Sequence, residues 1–327
     1  MTRDRIVRWG ILGAGNIAHR FAASLQFCDD CILVAVSGRN IEKLDAFVKE
    51  YPCKKEYVGY EYLLADSEID AVYLALPHGM HKEWAVKAML AGKAVLCEKP
   101  AALNQEEVKE IANVSRQKKC LFMEAMKSRF EPAYYELKKR IQSGLIGTLQ
   151  SIDTSICFLL PPEMKGKTYH FDPVQGGALL DSGIYCASLL LDYFHGTPDI
   201  TIMDARMERS VNVYVNACCQ FNDGTGSLEV GFDRTLERRA VFRGTDGEII
   251  LPDLHRPHNF LTLKDDQEVE VSIPYIHDDF YPQIRHFTDL YLQGSKESSV
   301  MSLGDSENCA ALLDQIKQKV MAYNHGI

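Results

Sequence analysis

Between residues 6 and 124, short apolar runs alternate with stretches of helical period, and this alternation constrains the fold more than any other feature of the chain. IVRWGILG leads into a helix carrying Ile17, Phe21 and Leu25; CILVAVS into a helix from about Ile41; DAVYLAL into a helix through Trp84, Val86 and Leu90. VLCEKP, a helix over Gln105 to Gln117 and CLFMEA complete the series. Strands that read as near-continuous apolar runs are buried on both faces, so the pattern predicts a parallel sheet covered by helices.

After about residue 150 the period changes to two. In VNVYVNACCQF the residues Val211, Val213, Val215, Ala217, Cys219 and Phe221 fall on one face, and SIDTSICF repeats the alternation. NDGTG, GTDGE and LKDDQ supply turns between further strand-like runs, which predicts a mainly antiparallel sheet. Helical stretches near Pro282 to Leu292 and Asp305 to Ala322 are expected to return and pack on it. The predicted class is α/β: a dinucleotide-binding Rossmann domain over residues 1–124, and an α+β domain with an open antiparallel sheet over 125–327 for substrate binding and dimerisation.

Composition removes several alternatives. The chain has 327 residues, 46% of them apolar and 25% charged, as in soluble two-domain proteins, and no apolar run approaches the roughly 18 residues of a membrane span. A net charge of −9, without basic stripes, argues against nucleic acid. The N-terminus shows no cleavage-site pattern and the cysteines sit in apolar runs, which reads as a cytoplasmic location with reduced thiols. Cys28 and Cys31 form a C-x-x-C, the pattern of a redox pair or of half a metal site; without a second pair or histidine partner it reads in preference as a chance structural pair, with no metal set.

Chemistry enters at GAGNIA, which follows the first strand and opens the first helix. Gly13 permits the tight turn, Ala14 and Gly15 bring backbone toward a pyrophosphate, Asn16 and Ile17 open the helix whose N-terminus holds it, and Ala18 packs closely on the strand. An NAD site places a carboxylate at the end of the second strand. Here SGRN puts Ser37 and Arg39 there, so a hydroxyl and a guanidinium meet the 2′-phosphate, and NADP is expected rather than NAD. In VLCEKP, Glu98 and Lys99 close a buried strand at the end that faces the nicotinamide half of the crevice, and Pro100 restricts Lys99. His78 and His81 in PHGMH either sit near the ring or begin a helix, and Arg129 either holds a substrate hydroxyl or, the preferred reading, pairs internally with Glu98.

GAGNIA, GKAVLCEKP, LFMEAMKSRFEPA and GGALLDSGIYC resemble the glucose-fructose oxidoreductase, inositol dehydrogenase and MocA family, most closely its dimeric dihydrodiol dehydrogenase and NADP-dependent D-xylose 1-dehydrogenase branch. The match is dense over residues 5 to about 195 and thin afterwards. The resemblance implies that Lys99 contacts nicotinamide and substrate, and that Asp181 and Tyr185 carry the D-x-G-x-Y/H motif. Tyr185, where inositol dehydrogenases have histidine, points to the diol and xylose branch, while Met126 and Lys127 stand where that branch has an aromatic residue. Tyr185 is then expected as proton carrier, with Lys99 lowering its pKa and Asp181 orienting one of the two. The implied activity is hydride transfer at a carbinol carbon of a sugar, polyol or vicinal diol; a sensor using the same fold without turnover has no need of such residues. An apolar outer face on the second sheet is expected to make a homodimer.

Overall fold

The computed structural model describes residues 5–164 and 168–324, so the first four residues of the N-terminal stretch read for targeting lie outside it. The chain divides into two compact units. The first comprises residues up to 102, 106–127 and 276–306; the second comprises 103–105, 128–275 and the residues from 307.

In the first unit six strands form one sheet: β1 (Val7–Leu12), β2 (Cys31–Gly38), β3 (Lys55–Val58), β4 (Ala71–Leu74), β5 (Ala94–Glu98) and β6 (Phe122–Ala125). All pairs are parallel, in the order β3-β2-β1-β4-β5-β6. β1 therefore lies centrally, beside the point where the strand order reverses, and it is buried along nearly its whole length. α1 (Asn16–Leu25), α2 (Ile41–Glu50), α3 (Tyr60–Ala65), α4 (His81–Leu90) and α5 (Gln105–Lys118) alternate with the strands. Trp9, Phe21, Phe47 and Tyr73 are fully buried; each such side chain contributes on the order of 1.5–3 kcal/mol by leaving water.

β3 has no counterpart among the expected strands. KEYV is four residues long, with only alternate residues half-buried, on a sheet edge where charged side chains meet water, so it lacks the apolar run that marks its neighbours. VLCEKP is consequently the fifth strand of the sheet in chain order.

The second unit holds an eight-stranded sheet built from β7 (Leu149–Cys157), β8 (Asp199–Glu208), β9 (Val211–Gln220), β10 (Thr225–Gly231), β11 (Arg239–Gly244), β12 (Glu248–Pro252), β13 (Asn259–Lys264) and β14 (Gln267–Ser272). Its order is β14-β13-β12-β11-β7-β10-β9-β8, and only β7 and β10 run parallel. α6 (Pro132–Gln142) and α7 (Ile184–Leu191) belong to this unit, with α7 packed on β7 and β10. Ile152, Ile156, Val213, Val215, Leu228, Val230 and Phe242 are buried on the inner face.

Two expectations change here. On β7, β9 and β10 the opposite face of the sheet is polar: Ser227 donates to Asp153 at 2.7 Å, Arg243 pairs with Asp153 and with Glu248 at 3.2 Å, and Tyr214 donates to Glu229 at 2.6 Å. The apolar face from which a homodimer was expected is reduced to a patch of Val241, Ile250 and Leu261 on β11, β12 and β13. α8 (Tyr281–Gln293), expected on this sheet, instead packs against α1 in the first unit, with Phe287 5.2 Å from Trp9. α9 (Leu303–Asn324) follows, and from residue 307 it belongs to the second unit, where Asp314 accepts the Gln105 N–H at 2.8 Å. No helix among the described residues is long and apolar enough to cross a membrane.

Candidate active site

The β1–α1 turn is shaped by its glycines. Gly13 adopts φ +104°, its N–H donates to the Ser37 carbonyl at 2.8 Å, and a Cβ there would collide with the carbonyl oxygen of Ala75. Only glycine serves at this position. Gly15 is different: it is extended and exposed, and a Cβ would meet nothing within 4 Å. Its bareness answers no packing need of the chain itself and leaves space for an approaching group.

The Ala18 and His19 N–H groups both bond the Gly15 carbonyl, whereas those of Asn16 and Ile17 have no protein acceptor among the described residues. The first turn of α1 carries no acidic side chain and no capping side chain. An uncapped helix start with open donors is an anion site, so Gly13, Ala14, Gly15, Asn16 and Ile17 fit a dinucleotide pyrophosphate.

At the end of β2 the two expected residues part company. Ser37 is fully buried and its hydroxyl donates to the Ile11 carbonyl at 3.3 Å, so it is not offered to a ligand: its side chain belongs to the β1–β2 seam. Arg39 is exposed and forms no ion pair among the described residues. Lys43, one helical turn along α2, is also exposed with its ammonium unpaired, while Asn40 caps that helix by accepting the Lys43 N–H at 2.8 Å. The sequence reading missed Lys43, whose signal was its position four residues after Arg39 at a helix start.

The tips of β4 and β5 form a dense polar region. Glu98 ends β5 and accepts a hydrogen bond from the Tyr73 hydroxyl. Burial pushes the Glu98 carboxyl upward, against Tyr73, Lys99 and Lys127, which favour its ionised form. Lys99 is half-buried beside it, and the Lys99–Pro100 peptide is cis. Lys127 is buried and pairs with Asp279, which also receives Arg20. Lys127 therefore has a structural ion partner.

His81 is fully buried, with its ring nitrogens 2.7 Å from the Pro100 carbonyl and 2.8 Å from the Leu76 carbonyl. Of the two roles open to it, the structure assigns the internal one: it ties the loop after β4 to the turn after β5. Glu124, buried in β6, accepts the Ala101 N–H at 2.9 Å. The Pro100–Ala101 peptide is thus held at its oxygen by an imidazole and at its nitrogen by a carboxylate. His78 is 5% exposed, with its ring 5.8 Å from that of His81.

In the second unit, Asp181 lies in a π-helical turn, Leu179–Gly183, and accepts the Tyr169 hydroxyl at 3.2 Å. Tyr185 follows in the first turn of α7 and not at a strand or loop end. It is 8% exposed, and its ring stands edge-on to the imidazole of His255. His255 Nδ1 is 3.1 Å from Asp253; burial works against ionisation of that carboxyl, but the His255 hydrogen bond and the charges of His255, Arg238 and Arg256 hold it below the usual range. Tyr169, Asp253 and His255 escaped the sequence reading; the run LPDLHRPH, dense in histidine and proline, was the available signal for the last two. His170 stacks on Tyr169, with ring centroids 4.1 Å apart. Arg129 is buried and donates to the hydroxyl and carbonyl of Ser188, both at 2.8 Å, with Asp192 at 3.9 Å, so its internal role is to anchor α7.

Two family models match the chain: an oxidoreductase family with an NAD-binding Rossmann fold over residues 7–126, and a GFO/IDH/MocA C-terminal domain over residues 134–250. The trans-1,2-dihydrobenzene-1,2-diol dehydrogenases of Mus musculus and Homo sapiens are each 30% identical, over 96% of this chain and 97% of theirs. Among solved structures, a 3-ketoreductase from Actinomadura kijaniata in complex with NADP and TDP-benzene is 26% identical with a TM-score of 0.87, covering 96% of this chain and 98% of its own. That ketoreductase has also been crystallised with the same ligands as variants altered at one lysine and at one tyrosine. An aldose-aldose oxidoreductase from Caulobacter crescentus, 19% identical with a TM-score of 0.88 over 98% of both chains, shares the fold. With both domains matched in order and relatives aligned over nearly the whole length, this chain belongs to the GFO/IDH/MocA family of oxidoreductases.

Proposed function

We propose that the protein is an NADP-dependent dehydrogenase or reductase acting at a carbinol or carbonyl carbon of a sugar, polyol or vicinal diol. The observation that carries the reading is the β1–α1 turn, with its open helix start, in the same sheet as a lysine at the C-terminal tip of β5. In open α/β sheets ligands bind outside the carboxyl ends of the strands, near the point where strand order reverses. The diol dehydrogenases and the NADP-bound ketoreductase among its relatives support the substrate class and the cofactor.

In this reading Gly13, Ala14, Gly15, Asn16 and Ile17 hold the pyrophosphate, and Arg39, with Lys43, meets the 2′-phosphate. His78, Glu98 and Lys99 border the nicotinamide. NADP, when bound, supplies the hydride chemistry. The chain supplies the proton: Tyr185 gives it to the alkoxide formed in carbonyl reduction and removes it from the hydroxyl in oxidation. Lys99 presents a positive charge that favours the ionised phenol and the developing alkoxide, and Asp181 orients Tyr185 or Lys99 through a hydrogen bond. A homodimer through the residue 150–275 sheet also belongs to this reading, and would bury Val241, Ile250 and Leu261 on its outer face.

The test is purified protein with NADP+ and with NAD+ against aldoses, polyols and trans-dihydrodiols, followed by absorbance of the reduced nicotinamide. Turnover confined to NADP+ and one of these classes is expected. Binding of NADPH with no turnover on any class would convert the protein into a sensor.

A further inference from the structure

The turn joining α1 to β2 has the sequence F-C-D-D-C. The Cys31 N–H bonds the Cys28 carbonyl at 3.0 Å, closing a four-residue turn over 28–31. The end Cα atoms of such a turn lie within about 7 Å, the span a disulfide requires. Cys28 is 3% exposed, while Cys31, the first residue of β2, is partly exposed.

The surroundings of the Cys31 sulfur are unlike those of the other thiols. The Thr288 hydroxyl of α8 lies 3.3 Å away, with either atom able to donate. Cys31 is therefore the thiol that a dissolved disulfide reaches, with buried Cys28 behind it in the same turn. The Asp30 carboxylate accepts from the Cys31 thiol at 3.8 Å and is itself neutralised by two N–H groups of Arg285. The Cys28 hydrogen bond accordingly pulls the Cys31 thiol below its usual range despite burial, and pushes Cys28 above it. Buried Cys157, Cys186 and Cys219, which lack this arrangement, are pushed up to about 12 by desolvation.

We propose that Cys28 and Cys31 form a redox-active dithiol, with Cys31 as the attacking sulfur and Cys28 as the resolving one, and with a small-molecule disulfide of the glutathione type as oxidant. The Cys31 thiolate attacks one sulfur of that disulfide, forming a mixed disulfide and expelling one thiolate. Cys28 then loses its proton and attacks the Cys31 sulfur, expelling the second. The two protein thiols are oxidised to one disulfide, and the small disulfide is reduced to two thiols. The closed turn ties the C-terminal end of α1 to the start of β2.

The experiment uses the reduced full-length chain, glutathione disulfide as the probe, and alkylation read by peptide mass. Limiting iodoacetamide should modify Cys31 about tenfold faster than Cys53 and Cys218, the other partly exposed thiols, and Thr288→Val should reduce that lead. Glutathione disulfide should remove two hydrogens from the peptide bearing both cysteines, and Cys28→Ser should stop the reaction at a glutathione adduct on Cys31. Equal alkylation of the three thiols, or a stable adduct on the unmutated chain, would overturn the proposal. These readouts do not depend on dehydrogenase turnover.

Discussion

The ring of Tyr185 meets the imidazole of His255 edge to face, with centroids 5.7 Å apart and planes at 64°, and Asp253 anchors that imidazole at 3.1 Å. Aromatic pairs in this geometry contribute about 0.5–1.5 kcal/mol beyond their burial. If Tyr185 carries the proton, His255 decides how firmly its ring is held. His255→Ala should lower turnover about tenfold, the equivalent of about 1.4 kcal/mol in the barrier, with NADPH affinity unchanged. His255→Phe, which keeps the ring contact and loses the ion pair, should recover most of it. Steady-state kinetics of the two variants decides between ring packing and an acid–base role for the imidazole, since only the former survives in phenylalanine.

A second prediction concerns the Pro100–Ala101 peptide. Burial keeps His81 neutral, so its one N–H serves either the Pro100 or the Leu76 carbonyl; His81→Phe leaves that carbonyl without its donor, and an unsatisfied buried group costs about 1–3 kcal/mol. The denaturant midpoint should fall accordingly. Glu124→Met removes the acceptor of the Ala101 N–H, so amide exchange at Ala101 should accelerate. Unchanged protection there would mean that the neighbouring strands alone fix this turn.

Glu98 gives a prediction with a definite sign. Burial raises its pKa in the folded chain above that of the unfolded chain, against Tyr73, Lys99 and Lys127. The stability it contributes is therefore fully present below the unfolded value of about 4.3 and is lost as pH rises through the folded value. Glu98→Gln removes this dependence. At neutral pH the variant should melt higher than the unmutated chain, and the difference should shrink on acidification. If Glu98 also balances Lys99 during turnover, the same variant should be slower, so stability and activity move in opposite directions.

The parts of the fold that the sequence expressed were those with a strong period. The buried strands of the first unit announced themselves because both faces are apolar, and the glycine turn because Gly13 has no substitute. β3 did not, since a four-residue edge strand with lysine and glutamate carries no apolar run. Ser37 read as a ligand group because a hydroxyl at a strand end looks alike whether it faces water or, as here, the Ile11 carbonyl. The polar outer face of the second sheet was present in Asp153, Ser227, Glu229 and Arg243, but recognising it required knowing which strands are neighbours, a tertiary fact. The same holds for Thr288 beside Cys31, which are 257 residues apart.

Arg39 is exposed and unpaired among the described residues, so its removal should not disturb the fold. If it meets the 2′-phosphate, Arg39→Ala should weaken NADPH binding by about 1.5–3 kcal/mol, the range for a hydrogen bond to a charged group, and leave NADH nearly unchanged. Lys43→Ala should act in the same direction with a smaller effect, because an ammonium is a single point charge where the guanidinium is a fork. Titration of both cofactors by fluorescence measures each loss. Equal losses for NADPH and NADH, or tighter binding of NADH by the unmutated chain, would remove the NADP assignment.

Tyr185 is placed by a helix: it lies in the first turn of α7, directly after the π-helical turn that holds Asp181. Arg129 anchors the same helix through Ser188, so the ring sits on a rigid support that phenylalanine would preserve. A positioned proton carrier contributes about 10² to 10⁴ in rate. Tyr185→Phe should lose that much in turnover while NADPH affinity holds, because only the hydroxyl is deleted. Arg129→Met provides the contrast: it strips the Ser188 hydroxyl and carbonyl of their buried donor, so it should lower stability first and turnover as a consequence. Near-normal turnover by Tyr185→Phe would take the proton from this residue, and His78, at the tip of β4, would be the next group to test.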